Sequence, residues 1–171
     1  MNDDGVRDDA GPSDTPDPNE HALVNDHPGL SDAEQERRRH SIAELFPTTP
    51  FMSWLGIVFE RYEHDDVVIR LPFREELTND GTYYHGGVIS SVIDSVGAAA
   101  AWSFHDFDRG TRASTVGMTV NFVGACRQAD LVCRATTVKR AKELIFTEIT
   151  AYEGSLDGKV VAHAIQTYRI A

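Results

Sequence analysis

Between Gly86 and Phe104 the chain offers almost nothing that favours water. The segment reads Gly-Gly-Val-Ile-Ser-Ser-Val-Ile-Asp-Ser-Val-Gly, then four alanines (Ala98 to Ala101), then Trp102. Its length and alanine content predict a helix, and no side of that helix is polar. A helix that is apolar or small all round is wrapped by other elements, not laid on a surface. The rest of the chain must therefore supply a layer wide enough to enclose it.

The flanks read as that layer. Ile57 to Glu63 and Val67 to Phe73 predict a hairpin around the charged turn His64-Asp65-Asp66. Val67, Ile69 and Leu71 alternate with Val68 and Arg70, the period of a half-buried strand. After a turn marked by Asp106, Asp108 and Gly110, four strands follow. Val116, Met118, Val120 and Phe122 alternate in the first; Leu131, Cys133 and Ala135 line the second. Ile145, Thr147 and Ile149 line the third, and Val160, Ala162 and Ala164 the last. The connecting segments are polar, which predicts a meander of antiparallel strands. The expected class is α+β: a curved antiparallel sheet around one long central helix, spanning residues 50–171.

Upstream, Ser31 and Glu34 have the spacing of a capping box, and Ile42, Leu45 and Phe46 form a short apolar face. Arg37-Arg38-Arg39 reads as a solvated face, and Pro47 and Pro50 end the helix. Residues 31–49 are thus a helix and linker. Residues 1–30 hold Pro12, Pro16, Pro18 and Pro28 among many acids, and predict a disordered tail.

The formal charge of −11 belongs to that tail. Residues 1–36 carry eleven acids against one Arg7, while the remainder carries sixteen acids against fifteen bases. No basic stripe argues for nucleic acid. Cys126 and Cys133 match no zinc or redox spacing and read as reduced, partly buried residues. The histidines are scattered, so no metal site is expected. The N-terminal stretch lacks an apolar leader core and no run suits a membrane span, so a cytoplasmic location is the default expectation.

The chemistry concentrates at the central helix. Gly86 and Gly87 at its mouth let a ligand approach the backbone, where the first N–H groups lack partners and carry positive partial charge. An oxygen gaining negative charge would be stabilised there. Asp94 follows eight positions later among small apolar residues. Blander readings stand beside these. Asp94 could be a core acid bonded to a hydroxyl such as Ser90 or Thr115, and the glycines a tight turn. Asn79-Asp80-Gly81 could be plain turn chemistry, His85 a cap, and Lys139, Arg140 and Lys142 a solvated turn.

Helix geometry adds a constraint. Eight residues separate Gly86 from Asp94 by ~12 Å along the axis and ~80° around it. One reacting carbon cannot reach both in a single chain, because reacting atoms lie about 3–3.5 Å apart. If both act in one reaction, they come from two copies packed antiparallel across a two-fold axis, a C2 dimer with two equivalent sites. Ser90, Ser91, Gly97 and Ala98 would permit close approach of the two helices.

The order of elements, His85-Gly86-Gly87 at the helix start and Asp94 within it resemble the hotdog-fold acyl-CoA thioesterases, closest to the PaaI-like type of the 4HBT thioesterase superfamily. The resemblance covers roughly residues 50–171. It implies hydrolysis of acyl-CoA to free acid and coenzyme A, with no cofactor, since coenzyme A is part of the substrate. It implies that the Gly86 N–H polarises the thioester carbonyl and that Asp94 of the partner subunit acts as general base or nucleophile. Asn79 matches the residue that orients water or substrate, and Thr115 lies where relatives place a hydroxyl. His85, Gly87, Lys139, Arg140 and Lys142 are implied in substrate binding, the last three on the hairpin that meets the nucleotide end of coenzyme A. A homodimer with shared sites, paired further as a dimer of dimers, is expected. Some relatives carry Glu where this chain has Asp94, and the Pro and Glu pattern of hotdog dehydratases is missing. The competing functions are a hydratase or dehydratase acting on acyl thioesters, which would use His85, and a non-catalytic acyl-CoA-binding module.

Overall fold

A computed structural model describes residues 29–171. The tail expected over residues 1–30 falls, except for its last two residues, outside the described part. Helix α1 (Asp32–Leu45) starts at Ser31, whose Oγ accepts from the Glu34 N–H at 3.3 Å. The reciprocal half of the expected capping box does not form, because the Glu34 carboxylate pairs with Arg37 and Arg38. Ile42 and Phe46 pack inward while Leu45 stays exposed. Of the three arginines only Arg39 leaves the solvated face: its Nε donates to the carbonyl of His105 at 2.9 Å.

After a short 3₁₀ turn at Phe46–Thr48 comes α2 (Pro50–Leu55), ended by Gly56 at φ 73°. Strands β1 (Val58–Glu63) and β2 (Asp66–Leu71) close on a two-residue turn in which Asp65 has φ 61°. The central helix α3 spans Gly86–Ser103. Strands β3 (Ala113–Phe122), β4 (Leu131–Arg140), β5 (Leu144–Glu153) and β6 (Val160–Ile170) follow.

All six strands form one antiparallel sheet in the order β1-β2-β4-β5-β6-β3. This corrects the expected meander: β3 crosses to the far edge beside β6, and β2 pairs with β4. Alternation tells which face of a strand is buried, not which strand lies next to it. α3 packs against β2, β4, β5 and β6 and also reaches the edge strands β1 and β3. Six strands spaced ~4.8 Å apart are about twice as wide as a helix, so contact with all six requires the sheet to curl around α3.

The core lies between the inner sheet face and α3. Val67, Ile69, Leu131, Ile149, Val92 and Ile93 are fully buried there. Each such side chain contributes about 1.5–3 kcal/mol relative to exposure. Ala135, Ala151, Ala162 and Ala164 keep the strands close beneath the helix. Two details of the expected faces change. Val160 is exposed and Val161 takes the buried place at the start of β6, where the register with β5 shifts. The helix is not covered all round either: Gly87 is exposed, and Ser91 and Asp94 are only half-buried.

Candidate active site

The N-terminal end of α3 is shaped by the loop before it. Asp80 Oδ1 accepts from the N–H groups of Thr82 and Tyr83, and Gly81 takes φ 82°. The loop folds back so that Asn79 N–H donates to Tyr83 O and His85 N–H to Leu77 O, both at 2.9 Å. His85 is the N-cap: its Nδ1 accepts from the Gly87 N–H at 2.9 Å. Val88 and Ile89 direct their N–H groups to the His85 carbonyl. That leaves the Gly86 N–H without an acceptor among the described residues. The two glycines therefore do different jobs. A Cβ on Gly87 would crowd His85 Nδ1 at 2.9 Å, whereas one on Gly86 would meet Phe122 Cζ at an ordinary 3.5 Å.

Asp94 lies two turns along the same helix. Thr115 Oγ1 donates to its Oδ1 at 2.7 Å. Thr115 can do so because β3 bulges between Thr115 and Gly117. The extra residue, Val116, is 59% exposed, and the bulge reverses the parity of the strand before it. Thr115 thereby shares the inner face with Met118 and Val120, correcting the expectation that Val116 would line that face. Ser90, the other hydroxyl considered for Asp94, donates to the Gly86 carbonyl.

A second donor to Asp94 was not foreseen from the sequence. Gln166 Nε2 donates to Asp94 Oδ1 at 2.6 Å and to the Asp94 carbonyl at 3.1 Å. Gln166 is fully buried on β6. The signal was present: position 166 continues the inward face of Ala162 and Ala164, where a polar residue needs a reason. Oδ1 thus carries two donors, and Oδ2 has none among the described residues. Tyr168 stands nearby on β6. Burial raises its phenol above the usual value, a hydrogen bond from Trp102 opposes that, and the charge of Asp94 adds to it.

Gly97 also differs from expectation. It faces β5 and β6 rather than an open helix face: a Cβ there would collide with Gln166 Oε1 and approach Thr147 Oγ1 at 3.2 Å.

The basic residues expected on the β4–β5 hairpin divide. Lys139 and Lys142 are exposed. Arg140 turns inward, onto the C-terminal end of α3. Its Nη1 and Nη2 donate to the carbonyls of Ala101 and Ala100, and its Nε to Asp65, at 2.8–2.9 Å. α3 has no basic residue in its own last turn, and this strand supplies the charge that its C-terminal carbonyls favour.

The structure therefore brings Thr115 to Asp94 and sets His85 and Gly87 beside Gly86, while the exposed Asn79 is tied into the preceding loop by its backbone bond to Tyr83. It does not bring the two groups together in one chain. Arg140 holds the hairpin at Ala100, some fourteen residues or ~21 Å along α3 from Gly86.

The sequence model of the thioesterase superfamily matches residues 81–158, which include Gly86, Asp94 and Thr115. A protein of Saccharolobus solfataricus named "Putative esterase" is 27% identical over 132 residues, covering 76% of this chain and 90% of that protein. A thioesterase family protein from Silicibacter pomeroyi is 27% identical with a TM-score of 0.65, covering 81% of this chain and 98% of that one. A Shewanella oneidensis protein related to the thioesterase superfamily superposes with a TM-score of 0.71 at 21% identity, covering 82% and 100%. The Escherichia coli PaaI protein from the phenylacetic acid degradation operon superposes at 0.66 and 16% identity, covering 80% and 96%. The last two speak for the fold alone, which is the hotdog fold.

Proposed function

We propose, from the premise that this chain belongs to the thioesterase superfamily, that it hydrolyses acyl-CoA thioesters at sites shared between two copies of itself. The observation that carries the reading is the pairing of an unpartnered Gly86 N–H with a carboxylate whose Oδ1 is held and whose Oδ2 is free. The first is an oxyanion donor and the second a base, and they stand too far apart on one helix to serve one carbon.

In the shared site the thioester carbonyl rests on Gly86 N–H of one subunit. Asp94 of the other takes a proton from water as its oxygen bonds to the carbonyl carbon. The carbonyl oxygen becomes negative, and the N–H and helix dipole stabilise it by about 3–4 kcal/mol. The C–S bond then breaks and the proton passes to the leaving thiolate. A variant of this route has the carboxylate attack the carbon directly, with water cleaving the resulting anhydride.

Two features support assembly into a dimer. β3 is an edge strand of ten residues with exposed Val116 and Phe122 along it, the kind of edge that invites a second chain. The uncovered strip of α3 through Gly87, Ser91 and Asp94 would face the same partner. The subunit contributing Asp94 would then also contribute Lys139 and Lys142, well placed for the phosphates of coenzyme A.

The test is thiol release from acyl-CoAs of short, medium, long and aryl chains, with Asp94→Asn beside wild type. Turnover that falls at least about 10³-fold in the variant, with fold and dimer mass unchanged, is expected. Absence of turnover by wild type across the panel, or an active Asp94→Asn, would sink the reading.

A further inference from the structure

We infer that Gln166 is a positioning residue for Asp94, and that Gly97 and the inner face of β5–β6 are shaped to admit it. The inference rests on the catalytic reading of Asp94 given above.

Both amide hydrogens of Gln166 go to one residue: one to Asp94 Oδ1 and one to the Asp94 carbonyl. That pair of bonds ties the carboxylate to its own backbone and fixes the side-chain rotamer. It also fixes which way the amide points, since the reverse orientation would set an oxygen against two acceptors. With Thr115 on the same Oδ1, the carboxylate is held by β3 and β6 from one side, and Oδ2 is left to face substrate and water.

The other end of the amide shows what this arrangement costs. Gln166 Oε1 is buried with no hydrogen-bond partner among the described residues, and so is Thr147 Oγ1, whose residue is the cross-strand neighbour of Gln166. Orphaned buried polar atoms destabilise a fold, and an apolar side chain at position 166 would have avoided one of them. At Gly97 even a methyl group would strike Oε1. A position that accepts an orphan and requires a glycine opposite is poorly explained by packing. It is well explained by the two bonds that Nε2 makes.

The groups facing Asp94 leave the pH readout simple. α3 and β3 carry no other ionisable side chain, and α2, which meets α3 through Met52 and Ser95, carries none. β5 presents Thr147; the inner faces of β2 and β4 present aliphatic residues, the buried thiol of Cys133 and, at the far end of α3, Arg140 on the carbonyls of Ala100 and Ala101; β1 presents Tyr62, and α1, which meets that same end of α3 through Ile42, carries Arg39. Tyr168 on β6 is the titratable group that senses the charge of Asp94. Wild type, Gln166→Met and Gln166→Glu are compared for kcat, KM, thermal midpoint and the pH dependence of kcat/KM.

Met keeps the volume and removes both donors. It is expected to lower kcat about 10²-fold, the effect of a misplaced reacting group, with KM changed less than threefold. The acidic limb of kcat/KM moves up, because a donor favouring the charged carboxylate is gone. Glu sets a second carboxyl against Asp94, so the two share a proton and the acidic limb moves further up. Should Gln166→Met fail to fold, Gln166→Glu carries the comparison. The titration of the Asp94 carboxyl, followed by 13C NMR in the same proteins, reads the clamp without turnover. Variants that lose thermal stability but keep kcat and both pH curves would overturn the inference and leave Gln166 a packing residue. An active Asp94→Asn, together with an Asp94 carboxyl titration that shifts in the Gln166 variants, would instead fault the catalytic reading and spare the clamp.

Discussion

At its N-terminal end α3 begins with two glycines and leaves the Gly86 N–H unpaired among the described residues, while at its C-terminal end its carbonyls are met by cations from elsewhere in the chain. Arg140 reaches the carbonyls of Ala100 and Ala101, and Arg39 reaches that of His105 just beyond. Ser103 Oγ receives the Asp65 N–H and donates to the Ala100 carbonyl. One end is closed by committed partners; the other is held open around an unused donor. Burial and charge look similar at both ends in the sequence. What separates them is whether a polar group is already occupied, and chemistry belongs to the end where it is not.

Substitution at Gly86 should give the largest effect and tests the open end. Gly86→Ala leaves the fold intact, because the new methyl would sit 3.5 Å from Phe122. Yet it lines the approach to the free N–H, and turnover is expected to fall about 10²–10³-fold, the value of one lost oxyanion contact. A variant with full activity and unchanged melting would break the contrast. The closed end responds the other way. Arg140→Ala orphans two carbonyls and the partly buried Asp65, at a cost of about 2–3 kcal/mol. That corresponds to a drop of about 5–10 °C in thermal midpoint. The kcat of the folded protein should stay within about twofold, since no interaction confined to the transition state is removed.

Much of this contrast was legible beforehand. The apolar run from Gly86 to Phe104 required an enclosing sheet, and the glycines and Asp94 marked the chemistry by being out of place in it. The turn at Asp65 and the inward faces of β2 and β4 followed from alternation. Among the things that did not follow, three depend on a neighbour rather than a pattern. The place of β3 beside β6 is set by long-range pairing. The bulge at Val116 shifts Thr115 to the inner face, and a strict period of two cannot express an inserted residue. Arg140 sits in a basic turn that resembles a ligand contact, but its direction is decided by the carbonyls of α3.

A smaller effect sharpens the division within the hairpin itself. Lys142 is exposed, and no ion pair holds it among the described residues. Lys142→Ala should raise KM for acyl-CoA several-fold, about 0.5–1 kcal/mol, and leave kcat unchanged. The difference from wild type should shrink as salt rises, because exposed charges are screened over about 10 Å at 0.1 M. A kcat effect, or a KM effect that ignores salt, would place Lys142 with Arg140 in the fold.

The smallest effect concerns how the closed end holds against acid. His105 is 5% exposed, packed on Trp102 and Phe107, with its Nε2 2.8 Å from the Gly110 carbonyl. Burial depresses its proton affinity below the ordinary value; the carbonyl and Asp106 oppose that, and Arg140 and Arg109 reinforce it. The unfolded chain therefore binds a proton here at a higher pH than the folded one does. The stabilisation from the neutral ring is complete above the unfolded value of about 6.5 and is lost as pH falls through it toward the folded value. Urea titrations at pH 7.5 and 5.5 should show wild type losing more stability than His105→Gln over that interval. Equal losses would mean that the ring accepts its proton in place, and that the closed end has more room for charge than its packing implies. Catalysis at the open end should follow a different pH curve, since no element places His105 near Gly86 or Asp94, and coincident curves would join the two ends into one titrating unit.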